Sequence, residues 1–213
     1  MSDFHQAVYA KMKISRTIAA RQIKSLFRKH NIRFTHNVRG LYWNSEWNEF
    51  TPNIDQEIED IDRFDDAVSA TLDWTCACFD LLFQQWDIEL YLISSKESDS
   101  VILSFPNSVY KIASENHNIA ASWLELLVDV GMVFGGLPMI CGPDVPIIAS
   151  SDERLMARFQ QYLKNYKLGT YSVHTVLCNN DYKSKFETSF IEVPHFYVTT
   201  VAMGYHQITL LET

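Results

Sequence analysis

Ile88-Glu89-Leu90-Tyr91-Leu92-Ile93 and Val101-Ile102-Leu103-Ser104-Phe105 are two apolar runs separated by the polar stretch Ser94-Ser95-Lys96-Glu97-Ser98-Asp99-Ser100. Two short extended runs around such a loop predict a β-hairpin. The C-terminal end carries more of the same. Tyr171–Cys178, Phe190–Val193, Phe196–Met203 and Tyr205–Leu211 read as strands, with Gly204 as the turn between the last two.

Helical patterns flank the hairpin. From Ser15 to His30, Ala19, Ala20, Ile23, Leu26 and Phe27 share one face at the 3.6-residue period, and Asn31 is a natural stop. Ile32–Val38 then reads as extended. Thr51-Pro52 predicts a helix start, followed by Ile54, Ile58 and Ile61. A longer helix is expected over 64–86. Its apolar stripe would be Val68, Leu72, Thr75, Phe79, Leu82 and Trp86, and Asp66, Asp73, Asp80 and Asp87 would form a second stripe at intervals of seven. Ile119–Phe134 predicts a buried helix. Ser150 with Glu153 makes a capping box for another, ending before Gly169.

Helices, then a hairpin, then helices, then consecutive strands imply an α+β fold. The expected architecture is a mostly antiparallel sheet packed with amphipathic helices, one domain over 1–213 with a basic helical segment at 1–31. Hydrophobic residues at 47% of the chain are enough for a core of that size. No apolar run reaches the roughly 18–20 residues of a membrane span, and no secretory signal is visible. The four cysteines, Cys76, Cys78, Cys141 and Cys178, form no dense framework, so reduced thiols in a cytoplasm are expected.

Charge is sorted along the chain. Residues 1–40 hold nine of the 18 Lys and Arg and a single acid, Asp3, for a net +8; the other 173 residues carry −16. Arg21, Lys24 and Arg28 form a basic stripe on the first helix. It could meet nucleic acid, its own chain's acids or a second subunit, which leaves a homodimer open. The acidic excess elsewhere repels polyanions and argues against nucleic acid.

No reaction motif stands out. H-E-x-x-H, G-x-S-x-G and the P-loop are absent, and Gly135-Gly136 lacks the rest of a dinucleotide loop. No catalytic residue, metal ligand or cofactor is therefore assigned. Cys76-Ala77-Cys78 would splay its thiols on a helix and would align them on a strand. His174, His195 and His206 fall on expected strands and could meet, which keeps a small enzyme with a site of dispersed His and carboxylates as one alternative, beside a regulatory protein that uses the Arg21–Arg28 stripe on nucleic acid.

The densest feature is acidic. Asp55, Glu57, Glu59, Asp60 and Asp62 lead into Asp65 and Asp66, and no basic residue occurs between 41 and 62. Just before them stand Tyr42, Trp43 and Trp47. These rings suit an interface anchor, and they could equally plug the sheet's core. The stretches Asp55-Gln56-Glu57-Ile58-Glu59-Asp60-Ile61-Asp62 and Tyr42-Trp43-Asn44-Ser45-Glu46-Trp47 give the chain a character that resembles bacterial immunity proteins. That resemblance implies a cytoplasmic inhibitor that neutralises a basic toxin domain by covering its surface. Its partner-binding residues would be Tyr42, Trp43, Trp47, Asp55, Glu57, Glu59, Asp60 and Asp62.

Overall fold

In a computed structural model, Ala77, Phe79, Leu81 and Phe83 alternate along one strand, with their side chains buried in a common core. The structure describes residues 4–12, 15–44, 49–94, 98–106, 108–109, 112, 116–134, 139–143, 175–179, 184, 196–202 and 205–210.

Ten strands and three principal helices are found there: β1 (Phe4–Met12), α1 (Arg16–His30), β2 (Ile32–Asn44), β3 (Glu49–Ile58), α2 (Phe64–Ala70), β4 (Cys76–Phe83), β5 (Trp86–Ser94), β6 (Ser98–Pro106), α3 (His117–Phe134), β7 (Met139–Pro143), β8 (Thr175–Asn179), β9 (Phe196–Ala202) and β10 (Tyr205–Leu210). The strands form one sheet in the order β3-β2-β4-β5-β6-β1-β7-β8-β10-β9, and every described pairing is antiparallel. The fold is α+β, as the sequence implies. The hairpin is present as β5 and β6, paired from Glu89↔Ser104 to Ser94↔Asp99. β9 and β10 also pair antiparallel, while the expected strand at 190–193 and the expected helix after Ser150 lie outside the described residues.

α1 forms for the reasons legible in its sequence. Ser15 accepts a hydrogen bond from the Ile18 amide at 3.3 Å, and Asn31 closes the helix in the left-handed conformation at φ 52°. Arg28, Lys29 and His30 occupy the last turn, where positive charge suits the helix dipole. Ala19, Ala20, Ile23 and Leu26 are buried on its inner face. The basic N-terminal segment is nevertheless not helical throughout. Its first part is β1, an interior strand between β6 and β7.

α1 and α3 lie against the sheet face that carries Ala77, Phe79, Leu81 and Phe83 of β4, Trp86, Ile88, Leu90 and Leu92 of β5, and Val101, Leu103 and Phe105 of β6. Trp123 of α3 stacks edge-on against Phe105 at a centroid distance of 4.2 Å and tilts against Phe83 at 5.3 Å. Tyr9 of β1 is buried and donates its hydroxyl to the Leu127 carbonyl of α3 at 2.7 Å. Burial pushes that phenol well above its ordinary pKa, which keeps it a donor.

Two expectations are overturned. The helix expected over 64–86 is α2, seven residues long, followed by a turn and then β4. β4 is buried on both faces at Cys76, Ala77, Cys78 and Phe79, so its two-residue alternation is hidden in a continuous apolar run. The aspartates at intervals of seven therefore scatter over α2, a turn, β4 and β5. The helix expected from Pro52 is also a strand. Among the described residues β3 is the sheet's edge, where proline costs no ladder bond on its outer side. Pro52 falls in an irregular stretch, because Trp43↔Phe50 and Leu41↔Ile54 leave residues 51–53 opposite Tyr42 alone.

Arg16 holds the turn between α2 and β4. Its buried guanidinium donates to the carbonyls of Thr71 and Trp74, of Thr75 at 3.3 Å and of Leu92 at 3.2 Å. Trp74 in turn covers Gly40 of β2. A β-carbon at position 40 would lie 3.0 Å from the Trp74 ring, so the ring's seat depends on glycine. Among the described residues no helix is long and apolar enough to cross a membrane.

Candidate functional site: an acidic corner beside a charged cluster

Three elements meet at the sheet's first edge: the end of β3, the segment 59–63, and the start of α2. Glu57, Glu59, Asp60 and Asp62 are all exposed there. Asp60 adopts φ 58°, a left-handed conformation that aspartate tolerates better than most residues. The chain returns toward the sheet at once, since the Ile61 amide donates to the His36 carbonyl at 3.0 Å. The four carboxylates are thus held on a short, anchored corner.

The acid run divides by partner. Asp65 pairs with Lys24 of α1 and lies 3.7 Å from Arg63, while Asp66 lies 4.0 Å from Arg63. Both sit in the first turn of α2, where negative charge is favoured. Among the described residues Glu57, Glu59, Asp60 and Asp62 have no ion-pair partner. Part of the basic stripe is likewise engaged at home. Lys24 meets Asp65, and Lys29 reaches Glu125 at 3.0 Å and Asp129 at 2.6 Å, while Arg21 and Arg28 are exposed.

The other expected partner-binding residues have backbone positions only. Asp55 is the extra residue of a bulge in β3, since Ile54 and Gln56 pair with the adjacent Leu41 and Gly40. Tyr42 and Trp43 belong to β2, with Trp43 opposite Phe50. Their side chains, and the whole of Trp47, lie outside the described residues. His206 is on β10, and its side chain, with all of His174 and His195, lies outside them too.

Behind the corner, on the sheet face away from α1 and α3, is a cluster that sequence reasoning missed. The register sets Glu57 beside Arg39, Arg39 beside Cys78, Cys78 beside Tyr91, and Asp80 beside Glu89. Arg39 Nη2 hydrogen-bonds Asp80, donates to Glu89 Oε1 at 2.7 Å, and lies 3.5 Å from Cys78 Sγ. Its Nε is also buried, with no hydrogen-bond partner among the described residues. Tyr91 donates its hydroxyl to Glu89 Oε2 at 2.6 Å. With β4 read as a strand, Cys76-Ala77-Cys78 aligns its thiols on this face, and both are buried and free.

The protonation states follow from burial. Burial pushes the Cys78 thiol well up, Glu89 adds to this, and Arg39 only partly opposes it. The group is therefore a thiol, without the thiolate character of a reactive cysteine. Burial also raises the Asp80 carboxyl; Arg39 pulls against it, and Glu89 and Glu57 reinforce it. Burial works against the charged form of Arg39, but its hydrogen bonds to Glu89 and Asp80 more than hold its proton. Cys78, Asp80 and Glu89 offer three donor atoms within 4.8 Å of one another. Arg39 already faces all three, so a metal ion would have to displace a guanidinium bonded to both carboxylates. The cluster is a compensated charge network carrying one excess negative charge, without a primed nucleophile or acid–base pair.

No protein-family model matches the chain, and neither does any curated protein or solved structure.

Proposed function

We propose that this protein is a stoichiometric inhibitor of the immunity type, which binds a basic toxin domain in the bacterial cytoplasm and occludes its surface. The observation that carries this reading is the corner at Glu57, Glu59, Asp60 and Asp62: four exposed carboxylates within six residues, with no ion-pair partner among the described residues. Unpaired like charges on an anchored corner cost stability and speed the approach of an oppositely charged partner. Asp80 and Glu89, which Arg39 only half neutralises, extend the negative potential across the adjoining sheet face. Tyr42, Trp43 and Trp47 are the proposed apolar anchors, on β2 beside the edge strand and in the connection that follows it.

Copurification from the producing cell tests the reading. A basic protein should come down with the tagged chain at one-to-one stoichiometry, and its toxicity should be suppressed when the two are coexpressed. Replacing Glu57, Glu59 and Asp62 together by lysine should weaken both. A one-to-one complex whose capture and neutralisation are untouched by that replacement contradicts the reading.

A further inference from the structure

The acidic corner is also the end of a sheet edge. Among the described residues β3 pairs only with β2, so one row of its backbone N–H and C=O groups faces outward. Such a row is a template for another strand. The first half of β3 is guarded by Pro52 and by register shifts at Gly40/Leu41 and Leu41/Trp43. Past the second bulge the ladder is regular: Gly40↔Gln56, Arg39↔Glu57, Val38↔Ile58. Gln56 and Glu57 point to opposite sides of the sheet, and both are exposed, so this end is open on both faces.

Charge chooses the occupant. A second copy of β3 would set the carboxylates of one chain against those of the other, and like charges across a strand pair are destabilising. A strand carrying Lys or Arg meets Glu57 and then Glu59 and Asp60 instead. Resting on the inhibitor reading above, we infer that the outer edge of β3 over Gln56–Ile58, past the bulge at Asp55, takes up an extended, Lys/Arg-rich segment of the protein partner as a further strand of the sheet. Main-chain hydrogen bonds supply the affinity, and the carboxylates select the basic side chains.

Three labelled peptides of about eight residues test this on the full chain: alternating Lys–Val, alternating Lys–Pro of equal charge, and alternating Thr–Val. Binding is read by fluorescence anisotropy and by amide hydrogen exchange across 56–58. Lys–Val should bind at least about tenfold tighter than Lys–Pro, which cannot donate from every second residue, and should slow exchange at the β3 amides. Equal affinity for Lys–Val and Lys–Pro, absence of Lys–Val binding, or binding without slowed exchange overturns strand addition. Equal Lys–Val and Lys–Pro affinities that both fall steeply with salt leave the acidic docking surface standing. Thr–Val binding as tightly as Lys–Val overturns the selection of a basic strand, and the acid-docking reading with it.

Discussion

His30 Nε2 of α1 lies 2.6 Å from Asp129 Oδ2 of α3, and both side chains are almost wholly buried. Burial alone would raise the Asp129 carboxyl. Hydrogen bonds from Lys29 and His30 outweigh that and hold it below its usual range. An ionised carboxylate only accepts hydrogen bonds, so His30 carries its proton on Nε2. The contact fastens the C-terminal turn of α1 to α3 over the sheet.

Its pH dependence has a definite sign. A carboxyl whose folded pKa is depressed contributes stability above its unfolded value, near 3.8, and loses it as pH falls through the lower folded value. Thermal unfolding of wild type should therefore weaken across that acid window. Asp129→Asn should show a shallower acid loss and be less stable at neutral pH by about 1–3 kcal/mol. Parallel pH profiles for the two proteins would contradict the assignment.

Asp80 has the opposite sign. Its raised carboxyl contributes most below the ordinary carboxyl value and loses that contribution as pH rises through the folded value. Asp80→Asn should hence cost under about 1 kcal/mol at neutral pH, since the amide still accepts from Arg39 and relieves Glu89. Arg39→Met leaves two half-buried carboxylates facing each other and should cost about 3 kcal/mol. Denaturant unfolding of both variants checks the asymmetry.

Arg16 should behave as a core residue despite its charge. Arg16→Met strips buried donors from the Thr71, Trp74, Thr75 and Leu92 carbonyls and should cost about 3 kcal/mol or more. Lys24→Ala, at the exposed pair with Asp65, should cost under about 1 kcal/mol. Equal losses in the two variants would show that Arg16 is a surface charge.

The sequence made some of this architecture legible and hid the rest for identifiable reasons. Ser15, Asn31 and the buried face of α1 are local signals, and so is the polar loop between β5 and β6. β4 was obscured because both its faces are buried, so its apolar run and a chance seven-residue spacing of aspartates imitated a helix. Pro52 marked a strand edge and bulge where its hydroxyl neighbour suggested a helix cap. Once 76–83 is misread, the meeting of Arg39, Asp80 and Glu89 cannot be found, since it exists only through cross-strand register. The strand reading of Cys76-Ala77-Cys78 was the one signal pointing there. The acidic corner needed no long-range information, because its four carboxylates are neighbours in sequence.

The decisive measurement is the association rate between this protein and its copurified basic partner from about 50 to 500 mM salt. Steering by Glu57, Glu59, Asp60 and Asp62 predicts a fall of at least about tenfold across that range, and a much flatter dependence when Glu57, Glu59 and Asp62 are replaced by lysine. A rate that does not change with salt, in wild type as in the replaced protein, would contradict it.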